Sequence, residues 1–269
     1  MAQITASMVN ELRARTGQGM MECKKALTET GGDIEKAIDY FRKKGVKASI
    51  ASRAASEGRV GVRASADGRR AAAVEVNCNT DFTAKSEPIQ QIIAKALDLL
   101  LANPQASVAD DPDVQSLLVQ TAQQTGENVR LGRTAVLEST GRVGTYLYAV
   151  TGKIAVMIAV AGNPPDDFLR DLCLHVIAKN PLALRREELP PDIVAKERQI
   201  AIEQARATGK PQQIAEKIAE GKMRTFYEER VMLDQKFVRP EIDKTVAELL
   251  KQHNCAIEKY VRLEVGQAA

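Results

Sequence analysis

The sequence predicts an α+β protein: a small helical piece followed by two similar α/β halves, each with a small antiparallel sheet, the second carrying a projecting helical hairpin. Three patterns in the 269 residues predict this. Residues 4–45 hold three short apolar stripes of helical period and no strand pattern. A hairpin pattern followed by a proline-started helix then occurs twice. A pair of long, charged helical stretches interrupts the second occurrence. The expected division is 1–55 for the three-helix piece and its linker, 56–140 for the first core half and 141–269 for the second, with the helical arm at about 190–229.

Each element has a local reason. Thr5 caps the first helix, Val9 and Leu12 lie one turn apart on it, and Thr16-Gly17 ends it. The second helix runs from about Met20 to Glu29 and stops at Gly31-Gly32. Asp33 caps the third, where Ile34, Ala37, Ile38 and Phe41 form one stripe and Gly45 closes it. Residues 46–56 lack a stripe, which makes them a linker or a loosely held helix.

Gly58-Arg59-Val60-Gly61 then recurs as Gly141-Arg142-Val143-Gly144, and each copy opens a hairpin. In the first, Val60 and Val62 lead to an Asp67-Gly68 turn and a return strand from Ala71 to Val76. In the second, Thr145 to Val150 leads to a Thr151-Gly152 turn and a return from Ile154 to Val160. Helices begin near Pro88 and Pro165, carry i, i+3, i+4, i+7 apolar faces, and stop at Asn103-Pro104 and Asn180-Pro181. Each half ends in a strand, Val129 to Leu137 and Tyr260 to Val265. The arm consists of Asp192 to Ala207 and Gln212 to Glu229. Its seam is thin, with Ile193, Ile200, Ala201 and Ala205 facing Ile214, Ile218 and Phe226.

Composition narrows the chemistry. Two histidines, His175 and His253, and four cysteines, Cys23, Cys78, Cys173 and Cys255, make a zinc site or a redox pair an unsuitable reading. The thiols read as small buried hydrophobes in a reducing cytosol, and His175 reads as a hydrogen-bonded packing residue. Neither Gly152-Lys153 nor Gly209-Lys210 completes a phosphate-binding loop, and no Gly-x-Ser-x-Gly elbow is present. A net charge of +3 is too balanced to imply nucleic acid, although residues 1–55 carry +4 and residues 56–140 carry −3. The opening residues lack a signal-peptide core, and the longest apolar run, Ile154 to Ala161, is far shorter than a membrane span. A cytoplasmic protein without cofactor, metal or catalytic residues is expected.

Two segments stand out. In Thr16-Gly17-Gln18-Gly19-Met20-Met21 a glycine-rich turn places two methionines at a helix start, where unbranched side chains make an adaptable contact surface. Composition alone favours the plainer reading, that they fill the bundle core. In Val76-Asn77-Cys78-Asn79-Thr80-Asp81-Phe82-Thr83 a strand ends and a polar turn presents Asp81 and Phe82. Taken alone, this favours an Asx turn with the phenylalanine folded back on the sheet over an outward wedge.

These same residues carry a family resemblance. Leu12-Arg13-x-x-Thr16-Gly17-x-Gly19-Met20-Met21-x-Cys23-Lys24-Lys25-Ala26-Leu27, then Glu75-Val76-Asn77-Cys78-x-Thr80-Asp81-Phe82-x-Ala84-Lys85, and Arg262-Leu-Glu-Val-Gly266 together resemble the bacterial elongation factor Ts family over essentially the whole chain. The resemblance implies a guanine-nucleotide exchange factor for elongation factor Tu. It implies a ubiquitin-associated-like N-terminal domain, docking of Met20 and Met21 on the G domain of the partner, and intrusion of Asp81 and Phe82 near its nucleotide and magnesium. Thr80, Thr83 and Tyr148 complete the partner-binding set. Two residues depart from the family pattern: Thr83 where valine is common, and Tyr148 where histidine is common. GDP-bound and nucleotide-free Tu are the expected partners, without direct nucleic-acid or membrane contact, and the arm is a candidate surface for homodimerisation. The competing reading is a peptide- or ubiquitin-like-binding adaptor that uses only the three-helix domain.

Overall fold

The computed structural model describes residues 4–16, 18, 20–43, 54–207, 209 and 211–267. Three helices come first: α1 (Ala6–Thr16), α2 (Met20–Glu29) and α3 (Ile34–Lys43). The Thr5 hydroxyl accepts from the Met8 N–H at 3.3 Å and the Asp33 carboxylate from the Lys36 N–H at 3.0 Å, so both expected caps form. Val9, Leu12, Cys23, Ala26, Leu27, Ala37 and Phe41 make the small core. The stop at Gly45 and the stretch 46–53 lie outside the described residues.

The first half is β1 (Glu57–Ala64), β2 (Arg70–Cys78), α4 (Asp81–Lys85), α5 (Glu87–Ala102), α6 (Pro112–Thr125) and β3 (Arg130–Glu138). The second is β4 (Arg142–Leu147), β5 (Ile154–Ala161), α7 (Asp166–Lys179), the arm helices α8 (Pro191–Arg206) and α9 (Gln212–Arg230), then α10 (Val246–Gln252) and β6 (Ala256–Glu264). Each half forms a three-stranded antiparallel sheet with its return strand in the centre, β1-β2-β3 and β4-β5-β6.

Local boundaries differ from the sequence reading in three places. Val150 lies in a turn rather than a strand, because Tyr148 exchanges backbone bonds with Ile154 and Gly152 and closes a wider loop than a two-residue hairpin. The last strand starts at Ala256, four residues before the apolar run that announces it. Helices α4, α6 and α10 have no counterpart in the stripe analysis; they are short or thinly apolar, and caps define them. The Asp111 carboxylate accepts two N–H bonds at the start of α6, Gly126 closes that helix at φ +67°, and Thr245 and Glu248 form a capping box on α10.

The two halves pack sheet on sheet. Successive side chains alternate between faces of a strand. On β2, Ala72, Val74, Val76 and Cys78 meet α5 and α6, whereas Ala71 and Ala73 face the other sheet. On β5, Val156, Ile158 and Val160 meet α7 and α10, whereas Ala155, Met157 and Ala159 face the first sheet. The central strands are therefore buried on both sides and read as continuous apolar runs. Four layers result, helices outside and two sheets within.

The repeated Gly-Arg-Val-Gly now has a steric cause. A methyl group on Gly58 would lie 2.4 Å from the Val76 carbonyl oxygen, and one on Gly141 would lie 2.3 Å from that of Gly162. On Gly61 it would lie 2.1 Å from the Ile93 side chain, and on Gly144 3.0 Å from Ile158 and 3.1 Å from Leu169. The first glycine of each copy allows close backbone approach, and the second makes room for the core beneath the sheet.

The arm is an antiparallel pair whose seam is alanine rather than isoleucine. Ala201, Ala205, Ala215, Ala219 and Met223 are buried, while Ile193 and Ile200 are half-buried and Ile214 is exposed. Small seam residues let the helix axes approach closely, which pushes the larger isoleucines to the flanks. Ala183, Leu189 and Val231 form the apolar foot of the arm with Val194, Phe226 and Tyr227.

His175 is fully buried in the second half, with Nε2 2.9 Å from Gln235 Oε1 and its ring stacked on Phe237. Burial pushes the imidazole down to about 4, against a weaker opposing pull from the Gln235 bond. The unfolded imidazole titrates near 6.5, so between these values the unfolded chain binds more protons. The stabilisation is complete above the unfolded value and is lost as pH falls toward the folded one. Urea unfolding is expected to show a loss of about 2 kcal/mol from this residue between pH 7 and pH 5. His175→Leu should remove that increment from the pH slope; an unchanged slope would contradict the assignment.

Candidate functional site

The site is built where β2 leaves its sheet. Asn79 and Thr80 turn the chain, and Thr80 caps α4: its hydroxyl accepts from the Thr83 N–H at 3.3 Å. Glu127, in the turn between α6 and β3, holds this corner. Its carboxylate accepts the backbone N–H groups of Asn79 and Thr80, each at 3.0 Å, and the Thr80 hydroxyl at 2.6 Å. Asn128 N–H donates back to Asn79 Oδ1 at 2.8 Å, while the Asn79 amide donates to the Ala54 carbonyl at 2.7 Å. Partial burial works against the Glu127 charge, but hydrogen bonds from the Thr80 and Thr83 side chains and the two backbone amides hold the carboxyl below its usual range. Sequence reasoning missed Glu127. Its partners lie 47 and 48 residues away, and nothing local in Gly126-Glu127-Asn128 points to them.

Phe82 is 85% exposed on the first turn of α4. The expectation of a phenylalanine folded back on the sheet is overturned, and so is a purely loop setting. With Thr80 as cap, the helical turn buries Thr83 and Ala84 and sends Phe82 to the opposite side. Asp81 is exposed too, paired with Lys85 at 2.7 Å; that hydrogen bond and charge keep its carboxyl below the ordinary range. Thr80 sits at the exposed corner, whereas Thr83 is 6% exposed and turns inward.

Tyr148 is brought to the same end of the molecule. Its turn, closed by the Gly152 N–H to Tyr148 carbonyl bond at 2.9 Å, docks on β1 through the Val60 N–H to Gly152 carbonyl bond at 3.0 Å. Lys153 reaches Glu57 at 2.6 Å, and Glu57 pairs in register with Cys78, the last residue before the Asn79 corner. Tyr148 is half-buried, and Val150 beside it is 82% exposed.

Met20 and Met21 stand on the three-helix cluster, 53% and 75% exposed at the start of α2. Cys23, Ala26 and Leu27 fill the core in their place, which corrects the composition-based expectation. Among the described residues seven large apolar side chains are exposed, and Met20, Met21, Phe82 and Val150 are the four of them that are more than half exposed. The thiols are poorly suited to nucleophilic work: burial pushes Cys78 up to about 11, and Cys173 is pushed up as well.

Residues 79–267 match the protein-family model described as Elongation factor TS, a match that starts at the Asn79 corner. Elongation factor Ts of Hydrogenovibrio crunogenus is 39% identical over 274 residues, covering 98% of this chain and 92% of that protein. That of Methylococcus capsulatus is 39% identical over 275 residues with the same coverage. That of Sodalis glossinidius is 40% identical over 273 residues, covering 99% and 93%.

The chain belongs to the elongation factor Ts family.

Membership makes it an elongation factor of protein biosynthesis. Among the described residues, no helix is long and apolar enough to cross a membrane. Thr83 and Tyr148 now have surroundings. Thr83 lies on the buried face of α4 with its hydroxyl turned toward Glu127. Tyr148 keeps a ring at the turn that docks on β1.

Proposed function

We propose that this elongation factor Ts family member is a guanine-nucleotide exchange factor that binds elongation factor Tu and promotes GDP release. The observation that carries the reading is Phe82, an almost fully exposed aromatic on a short helix that the rest of the fold holds in place. Guanine nucleotides held at about nanomolar affinity correspond to roughly −12 kcal/mol, so unaided release is slow. A factor that favours the nucleotide-free conformation weakens nucleotide binding, and by linkage nucleotide weakens the factor by the same ratio. Neither wins permanently, so the factor is released and acts again.

In this reading Phe82 enters the packed side chains beside the partner's nucleotide site, where close packing leaves no room for it without displacement. Asp81 stands next to the magnesium that the partner supplies, and loss of that metal loosens the phosphates. Met20 and Met21 dock on the G domain as an adaptable apolar pair. Tyr148 offers a ring and a hydroxyl at the same end. No covalent or acid–base step is asked of this chain, and the setting is the cytoplasm. Residues 1–55 act as a ubiquitin-associated-like docking domain, 56–140 present the wedge, and 141–269 supply the second half with the arm. Pairing of two copies through that arm would have to use its polar outer faces, since the apolar seam is filled within the chain.

The direct test is release of fluorescent GDP from purified cognate Tu on addition of substoichiometric full chain and excess unlabelled GDP. The reading expects many turnovers per factor. Binding without acceleration would support an adaptor instead.

A further inference from the structure

We propose that Glu127 is a positioning residue for exchange, holding α4 in the orientation that presents Asp81 and Phe82. The inference rests on the exchange reading above and adds to it the part that makes an exposed wedge rigid. A wedge that is free to swing loses its effect, because displacing packed side chains requires a fixed support.

Helix α4 has only five residues; Thr83 and Ala84 bury its inner face, while Asp81 and Phe82 at its start face solvent and leave the entry to the helix to be fixed by polar contacts. Glu127 supplies the anchor in two ways. One carboxylate oxygen accepts the Asn79 and Thr80 N–H groups at 3.0 Å each, fixing the backbone that enters the helix. The other accepts the Thr80 hydroxyl proton at 2.6 Å. That bond sets the hydroxyl rotor, which leaves the oxygen free to accept from the Thr83 N–H at 3.3 Å. The carboxylate thus completes the helix cap at one remove. Charge-assisted bonds of this kind are stronger than neutral ones. Glu127 itself is held from the far side: Gly126 turns the chain at φ +67° after α6, and Asn128 bonds back to Asn79 at 2.8 Å.

A second carboxylate in the chain provides an internal control. Glu258 on β6 accepts the Thr140 hydroxyl at 2.6 Å and the Ser139 hydroxyl at 2.7 Å, a comparable exposed clamp that holds the connection from β3 to β4, away from α4.

Amide hydrogen exchange of the free full-length chain is the partner-independent readout. In Glu127→Ala the amides of residues 79–84 are expected to exchange about tenfold faster, while those of Ile89 to Leu100 keep wild-type rates. Factor-stimulated GDP release from Tu should fall about fivefold, with Glu127→Gln intermediate because one acceptor oxygen remains. Added to Phe82→Ala, the Glu127→Ala change should cost less than it does alone, since both act through one element and only the placement of Asp81 remains to be lost. Glu258→Ala should alter neither residues 79–84 nor GDP release. Unchanged protection at 79–84 overturns the proposal. So does wild-type GDP release by Glu127→Ala when Phe82→Ala is slow, or a fully additive double variant. If Phe82→Ala itself releases GDP at the wild-type rate, the exchange reading fails, and the amide rates alone decide what Glu127 holds.

Discussion

Phe82→Ala is expected to slow factor-stimulated GDP release about 30-fold at equal factor concentration while leaving the unfolding midpoint of the chain essentially unchanged. The two halves of this expectation come from the same fact. At 85% exposure the ring contributes almost nothing to the core, so removing it creates no cavity. A large aromatic that becomes buried only in a complex has the character of an interface hot spot, where truncation costs about 2 kcal/mol or more. Phe82→Leu should retain part of the activity, because bulk survives while the flat ring does not. The measurement is a stopped-flow trace of labelled GDP leaving Tu, paired with thermal unfolding of each variant. A variant that releases GDP as fast as wild type would end the wedge account. One that releases slowly only because it is unfolded would show in the second measurement.

Arg133→Met should destabilise the chain by about 3 kcal/mol, the largest expected loss of stability from a single polar change. Glu75 lies on the inner side of β2 with its side chain 4% exposed, and Arg133 on β3 meets it at 2.8 Å. The same guanidinium donates to the Glu264 carbonyl on β6, so one side chain ties the two sheets. Asn77 donates to the other Glu75 oxygen at 2.8 Å. Methionine matches the arginine stem in length but leaves the carboxylate charged and without its cation. Glu75→Gln combined with Arg133→Met should recover most of the loss, since the neutral amide no longer needs a cation. Urea unfolding at pH 7 of both single variants and the double variant reads this directly. Additive losses would mean that the pair contributes no coupling.

Much of the architecture was legible one segment at a time. The caps at Thr5 and Asp33, the glycine stops at 31–32 and the prolines that open α5 and α7 act within a turn of the residues that reveal them. The arm was legible as two helices with a thin seam. The seam itself was legible only in part: Ala201, Ala205, Ile218 and Phe226 take their expected places, whereas Ile193, Ile200 and Ile214 give way to Ala215, Ala219 and Met223, because isoleucine and alanine satisfy the same helical period and only the distance between the axes chooses between them. Helices α4 and α10 escaped because an apolar stripe needs more turns than their five and seven residues have, and α6 because its buried face is thin, with Val114, Leu118 and Thr121 alone fully covered; their caps became informative only with the partners in view.

For the site, the sequence by itself determined which residue types are present and in what order: two methionines after a glycine-rich turn, an Asp-Phe pair after a strand, and a glycine-spaced motif repeated at both sheets. These are local patterns, and local physics suffices for them. The tertiary structure alone decided which way Phe82, Met20 and Met21 point, because burial depends on what packs behind a residue. It also brought Glu127 to the Asn79 corner, Arg133 to Glu75, and the Tyr148 turn to β1. Those contacts join segments tens of residues apart: pairing of β3 with β2 brings Glu127 and Arg133 to their partners, and packing of the two sheets brings the Tyr148 turn to β1.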